Sequence, residues 1–154
     1  MRTTAQKIQR GFTLIELLIV IGILAILLAI TLIAINPQRQ FQMANDTQRK
    51  SDVNAVLNAI SQYVTEHNGQ LPAGITATSS AISAAGADLC TTLAPTYIAD
   101  LPVDPIAGVK ADATKPCTDA ANNAYVTGYT VSANNNRVTV SAVGEITTDI
   151  SVTR

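Results

Sequence analysis

The feature that most constrains this chain is a long segment near the N-terminus that carries no charged side chain. The uncharged segment spans residues 17–38, and between Leu17 and Ile35 only Gly22 and Thr31 interrupt the apolar residues. As a helix, Leu17–Ile35 would be about 28 Å long, close to the hydrocarbon thickness of a bilayer, about 30 Å. The sequence therefore predicts an apolar helix over residues 12–36 that can span a membrane.

Residues 1–11 form a short polar leader with three basic residues and no acidic residue. A removable secretory signal has a shorter apolar stretch, with its cleavage site behind that stretch, so we expect this apolar segment to be retained. Basic residues lie on both sides of the segment, since Arg39, Arg49 and Lys50 follow it. Asp46 and Asp52 offset these later cations, whereas no acid offsets the three cations of the leader, so the positive-inside rule favours a cytoplasmic N-terminus and an exported C-terminus.

Glu16 is an acid at the start of this otherwise apolar helix. A charged carboxylate well inside a bilayer costs about 3 kcal/mol, and its own segment offers no cation. Cleavage after Gly11 would create an α-amine on Phe12, and the Glu16 of one subunit could then pair with the amine of the next. The alternative is that Glu16 lies near the membrane edge and reaches the lipid headgroups.

The segment Gly11-Phe12-Thr13-Leu14-Ile15-Glu16, after a basic leader and before an apolar run, resembles the N-terminal signature of type IV pilins and type II secretion pseudopilins. The resemblance covers residues 7–35. It implies that prepilin peptidase removes the leader after Gly11, that Phe12 becomes the methylated N-terminal residue, and that Glu16 governs recruitment into the filament. The implied partners are further copies of the chain in a helical filament and an assembly platform in the inner membrane.

Residues 37–69 read as a second, amphipathic half of the same long helix. Pro37 lacks an N–H, so we expect the helix to bend or open there. The apolar face repeats at intervals of three and four residues; its members are Val53, Val56, Leu57, Ile60, Tyr63, Val64 and His67. The other face is assigned to Asp52, Asn54, Ser61 and Glu66, and Asn68-Gly69 predicts the C-terminal stop.

Residues 70–154 are predicted to form an exported domain with a loop-rich first part and a β-meander. The loop-rich part has weak helical tendency over Ala81–Leu93. Alternating residues and turn signals then predict three strands, at Tyr125–Ser132, Arg137–Val143 and Ile146–Val152. A small sheet needs cover for its apolar face, and residues 53–67 are the best candidate. The predicted fold class is α+β, as in type IV pilins.

Two cysteines, Cys90 and Cys117, both follow the apolar segment. With the N-terminus inside, both thiols are exported, where a disulfide is permitted. We predict a Cys90–Cys117 disulfide; the alternative is two unrelated thiols.

The sequence offers no recognisable catalytic or cofactor-binding constellation, so we predict neither an enzyme nor a cofactor. His67 is the single histidine, and neither CxxC nor a phosphate-binding loop is present. The stretch 101–105 with Gly108 faintly resembles the pattern before the terminal strands of major pseudopilins, in which a nearby loop binds calcium. The later acids are sparse here, and we expect no metal site; they are Asp112, Asp119, Glu145 and Asp149.

The charge balance argues against nucleic acid as a partner. Without the leader, seven basic and eleven acidic side chains remain, so the product has no general attraction for nucleic acid. The expected function is a subunit of a type IV pilus-like surface filament, made as a single-pass membrane precursor. The alternatives are a major pseudopilin of type II secretion, a DNA-uptake competence pilin, and an ordinary single-pass protein.

Overall fold

The computed structural model describes residues 11–112 and 114–154, and the leader residues 1–10 lie outside this part. The chain divides into two compact units, of which the first ends at Gln40 and the second is Phe41–Arg154. The architecture is α+β, with two long helices followed by a small four-stranded antiparallel sheet. This confirms the predicted fold class.

Helix α1, Leu14–Ile35, is the membrane-length helix predicted from the sequence. It is long and apolar enough to cross a bilayer, by length and composition. None of its residues is buried, so the apolar surface is exposed all the way around. An all-round apolar helix requires an apolar environment outside its own chain.

The first helix ends at Ile35, two residues before Pro37, so the interruption predicted near the proline is present and it divides the long helix into two. Asn36 adopts a left-handed conformation with φ of 46°, and helix α2, Pro37–Glu66, begins at Pro37 itself. A residue before proline avoids the α region, asparagine tolerates positive φ, and proline suits the first helical position. The Arg39 N–H donates to Asn36 Oδ1 at 3.4 Å.

Helix α2 ends where the sequence predicts. The Gly69 N–H donates to the Val64 carbonyl at 2.8 Å, and Asn68 and Gly69 both have positive φ. This six-to-one hydrogen bond closes the helix by the usual glycine-dependent arrangement.

The sheet has the strand order β1-β2-β3-β4, with every neighbouring pair antiparallel. Its strands are β1 Ser80–Ser83, β2 Val126–Asn134, β3 Arg137–Ala142 and β4 Ile150–Thr153. Asn135 and Asn136 both have positive φ, as the tight turn between β2 and β3 requires. The predicted turn at 134–136 is therefore confirmed.

Two expectations for the second unit were wrong in detail. Ser80–Ser83 forms an edge strand rather than weak helix, and the only helix in the 81–93 stretch is α3, Cys90–Leu93. Pairing with β2 and burial of Ile82 override the local preference of an Ala/Ser-rich stretch. Strand β4 begins at Ile150 rather than at 146. The backbone N–H groups of residues 145–147 donate to the Asp46 carboxylate instead of to a neighbouring strand.

Among the residues that the structure describes, the hydrophobic core lies in the second unit. Helix α2 and the inner face of the sheet share one cluster of buried side chains, so α2 covers the sheet as predicted. Its central members are Val53, Val56, Leu57, Ile60, Ile82, Leu89, Leu93, Leu101, Tyr129, Val131, Val140 and Ile150.

Candidate functional site

The peptide bond between Gly11 and Phe12 lies outside regular secondary structure, three residues before α1. Both residues are exposed, and a Cβ added to Gly11 would meet no other atom within 4 Å. Packing within the described residues therefore does not explain a glycine here. The junction is an accessible stretch that leads into the apolar helix.

Glu16 occupies the first turn of α1, where Thr13 is the N-cap. The Thr13 hydroxyl accepts the Glu16 N–H at 3.2 Å, and a threonine three residues before a glutamate is the capping-box spacing. This local role was not predicted from the sequence. A carboxylate at a helix N-terminus gains about 0.3–1 kcal/mol, less than the roughly 3 kcal/mol that membrane burial costs. Within residues 11–112 and 114–154, no cation pairs with Glu16.

The second unit contains a buried charged cluster around Arg49, which was not predicted from the sequence. Arg49 is 3 % exposed, and Asp46 and Asp104 are each 4 % exposed. The guanidinium donates to both oxygens of Asp104, through Nε at 2.5 Å and Nη2 at 3.2 Å. Its Nη1 donates to Asp46 at 2.9 Å and to Glu145 at 3.2 Å. One side chain of α2 thus joins two loops that are distant in sequence.

Asp46 binds the loop between β3 and β4, residues 143–149. Its carboxylate accepts three backbone N–H groups, from Glu145 at 2.8 Å and from Ile146 and Thr147 at 3.0 Å each. The hydrogen bond from Thr147 contributes most to lowering the pKa of Asp46 far below its usual value, against the opposing effect of burial. Since these N–H groups are used, they do not extend β4 toward residue 146.

Asp104 organises the loop that precedes Gly108. Burial acts to raise its pKa, but hydrogen bonds from Arg49, Ala107 and Ile106 outweigh burial and lower it. Gly128 of β2 lies directly against this aspartate, since a Cβ on Gly128 would come within 2.7 Å of the Asp104 Cβ. Gly128 also has φ of 84°, which favours glycine.

Asp52 is buried, which corrects its assignment to the solvent face of α2. Its carboxylate accepts hydrogen bonds from the Tyr129 hydroxyl at 2.7 Å and from Gln48 Nε2 at 3.0 Å. Burial, followed by the bond to Asp52, raises the pKa of Tyr129 well above its usual value. The pair connects α2 to the middle of the sheet.

The structure joins Cys90 to Cys117, the pair predicted from the sequence. Buried Asn122 supports the same region, because its amide group donates to the carbonyls of Asp112, Lys115 and Pro116 at 3.0–3.1 Å. Across the described ranges 11–112 and 114–154, no three His, Cys, Asp or Glu side chains are grouped to hold a metal ion.

His67 lies at the end of α2, where its ring stacks on Tyr63 with 3.8 Å between centroids. Its Nδ1 is 2.9 Å from the Tyr63 carbonyl. Tyr97 contacts Tyr63 edge-on and donates to Glu66 at 2.7 Å. These contacts give the single histidine a structural place at the helix end.

Comparison with known proteins bears on the N-terminal part of the chain. Residues 6–32 match the family described as the prokaryotic N-terminal methylation motif. No curated protein and no solved structure gives a significant match to the chain. The match includes the Gly11–Phe12 junction, Glu16 and most of α1. Together with the membrane-length helix α1, it fits a membrane-anchored precursor. The motif also fits a structural rather than a catalytic protein. The chain therefore carries the prepilin-type N-terminal motif of type IV pilins and pseudopilins.

Proposed function

We propose that this protein is a structural subunit of a type IV pilus-like helical filament. In this proposal, prepilin peptidase cleaves the precursor after Gly11, and the new N-terminal residue Phe12 is methylated. The mature chain leaves the membrane through an assembly platform and enters the filament by its N-terminal helix. The exported second unit, with its disulfide, then faces outward.

The observation that carries the proposal is an acid in the first turn of a helix that is otherwise apolar on every side and matches the methylation motif. The apolar surface of α1 is compatible with two surroundings, a bilayer before assembly and other copies of α1 afterwards. Glu16 is costly in either one unless it is paired. Cleavage supplies the missing partner, since the α-amine of Phe12 on a neighbouring subunit brings one positive charge.

Two measurements test processing and assembly. Mass spectrometry of assembled material is expected to give a chain that starts at Phe12 with a methylated amine. Glu16→Gln is expected to be inserted and cleaved normally but to enter filaments at least tenfold less than wild type when the two are co-expressed. Thr31→Val, which removes a polar group from the same helix without a charge change, serves as the control.

Assembled fibres that retain residues 1–11 would contradict the proposed cleavage. Incorporation of Glu16→Gln at the level of Thr31→Val would contradict the proposed pairing.

A pseudopilin of type II secretion is the second candidate. The feature that favours it is the resemblance of residues 101–105, with Gly108, to the major-pseudopilin pattern; Asp104 of this stretch is buried against Arg49. Deletion of the protein separates the two. Loss of surface fibres in electron micrographs supports a pilus, whereas loss of secreted proteins without loss of fibres supports a pseudopilus.

The electrostatics of the second unit support a filament role over DNA uptake. Six cations stand against ten acids in this unit, and three of the six are engaged, since Lys110 pairs with Asp100, Lys115 lies 3.5 Å from Asp119, and Arg49 is buried. A DNA-binding surface needs accessible basic groups that neutralise phosphates. We therefore propose no nucleic-acid partner.

A further inference from the structure

An exposed apolar patch lies where the second unit begins. It consists of Phe41 and Met43 in the early part of α2 and of Val143 and Ile146 in the 143–149 loop. The exposed fractions of these side chains are 71 %, 50 %, 78 % and 42 %, respectively. We call these four residues the α2–loop patch.

Contacts of the charged cluster bring the two halves of the α2–loop patch together. The Asp46 carboxylate accepts the Ile146 N–H at 3.0 Å, and Met43 lies one helical turn before Asp46. Asn45 donates to Glu145 at 2.7 Å, and Phe41 lies one turn before Asn45. The buried network thus holds the two exposed apolar residues of the loop beside the start of α2, where Phe41 and Met43 are two positions apart and project from different sides of the helix.

We infer that the α2–loop patch rests in the interfacial layer of the phospholipid bilayer while the chain is a membrane-anchored precursor. Only five residues separate Ile35, the last residue of α1, from Phe41. A fully extended chain covers at most about 3.6 Å per residue, so Phe41 stays within about 22 Å of Ile35 in any orientation of the two units. The patch therefore cannot leave the vicinity of the membrane surface when α1 is inserted.

The size of the patch favours lipid over a second protein as its occupant. Complete burial of four such side chains removes on the order of 500 Å² from water, whereas a stable protein interface buries about 800 Å² on each partner. A surface already tethered to a bilayer needs no such minimum, because the tether supplies a high effective concentration. Interfacial segments bury apolar side chains about 5–10 Å deep at the headgroup boundary.

The chain contains no tryptophan, so one substitution gives a clean fluorescent probe. Val143→Trp reports on the loop side of the patch, and Phe41→Trp reports on its helical side. Thr65→Trp is the control, since this exposed residue lies about 36 Å farther along α2 than Phe41. Leu24→Trp, in the middle of α1, reports on insertion of the helix itself.

The full-length variants are reconstituted in phosphatidylethanolamine–phosphatidylglycerol vesicles whose acyl chains carry bromine close to the headgroups for the patch and control probes, and near the chain ends for Leu24→Trp. Bromine quenches tryptophan emission on contact. We expect the emission of Val143→Trp, Phe41→Trp and Leu24→Trp to fall at least twofold relative to unbrominated vesicles, and that of Thr65→Trp to remain unchanged.

The inference rests on the proposed membrane anchoring of α1, and the four probes separate the two failures. Quenching of Leu24→Trp without quenching of either patch probe overturns the inference and leaves the anchoring intact. Absence of quenching for Leu24→Trp overturns the anchoring and the inference with it. A third outcome is a blue shift in the emission of the patch probes that shows no bromine quenching and disappears when the protein is diluted tenfold into lipid. That result assigns the patch to a contact with a second copy and also overturns the inference.

Discussion

Substitution of Arg49 by methionine tests whether the buried cluster stabilises the second unit. The change keeps an unbranched side chain of similar reach and removes the guanidinium, which makes four hydrogen bonds to three carboxylates. Asp46 and Asp104 are then left buried without their cation. Loss of one partner from a buried ion pair costs about 3–5 kcal/mol.

The structure sets the expected cost in the lower part of that range. Asp46 keeps its three backbone donors, and Asp104 keeps two, so neither carboxylate is left unsolvated. We therefore expect Arg49→Met to lower the free energy of unfolding by about 3–4 kcal/mol, out of the 5–15 kcal/mol typical of a domain. Arg49→Lys keeps the charge but loses the two-point contact with Asp104, and an intermediate loss is expected.

Urea denaturation of the full chain in detergent micelles measures this effect. The four tyrosines, at positions 63, 97, 125 and 129, all belong to the second unit. Tyrosine fluorescence therefore follows that unit without interference from α1. The control is Lys50→Met, an exposed cation on the same helix, for which a change within about 0.5 kcal/mol is expected. A loss below 1 kcal/mol for Arg49→Met would refute the structural role assigned to the cluster.

Two further predictions concern the same unit. The pKa of Asp46 is lower in the folded state than in the unfolded state, so its stabilising contribution is present above about pH 4 and is lost as the pH falls through the depressed pKa. In urea titrations at pH 7 and pH 3, wild type should therefore lose more free energy of unfolding on acidification than Asp46→Asn. Equal losses would contradict this linkage. Gly128→Ala places a Cβ 2.7 Å from the Asp104 Cβ, whereas Gly69→Ala has the same positive φ but open space. Gly69→Ala should lower the free energy of unfolding by about 1–2 kcal/mol. Gly128→Ala should lower it by about 1–3 kcal/mol more, because the added Cβ overpacks the contact with Asp104. Equal losses in the same denaturation assay would exclude a steric contribution at Gly128.

The features that sequence reasoning identified correctly depend on short-range patterns. The apolar helix and the prepilin-type motif of residues 6–32 are both visible within about 25 residues, and the turn at Asn135 and Asn136 is visible from its own residues. The disulfide was predicted because both cysteines follow the apolar segment, in the part expected to be exported, and because the chain has only two of them. Each of these needs only local periodicity, turn chemistry or composition.

The charged cluster was missed because its contacts are distant in sequence. Arg49 meets Asp104 across 55 residues and Glu145 across 96. One signal was available, since Asp46 and Arg49 continue the three-and-four spacing of Val53, Val56 and Ile60 backwards along α2. A charged residue in phase with an apolar face is a candidate for burial, but its partners cannot be named from the helix alone. The misassignment of Asp52 has the same origin, because Tyr129 follows it by 77 residues.

The long sequence separations within the Arg49 cluster have a consequence for the order in which the protein matures. Asp46 is bound by backbone groups 99 to 101 residues downstream, near the end of the chain. While the nascent polypeptide is still shorter than this, the guanidinium and its acids have to stay hydrated, because their last partners do not yet exist. Such distant pairings form late, after the entropic cost of loop closure. The cluster can therefore form only after residues 145–147 have been synthesised.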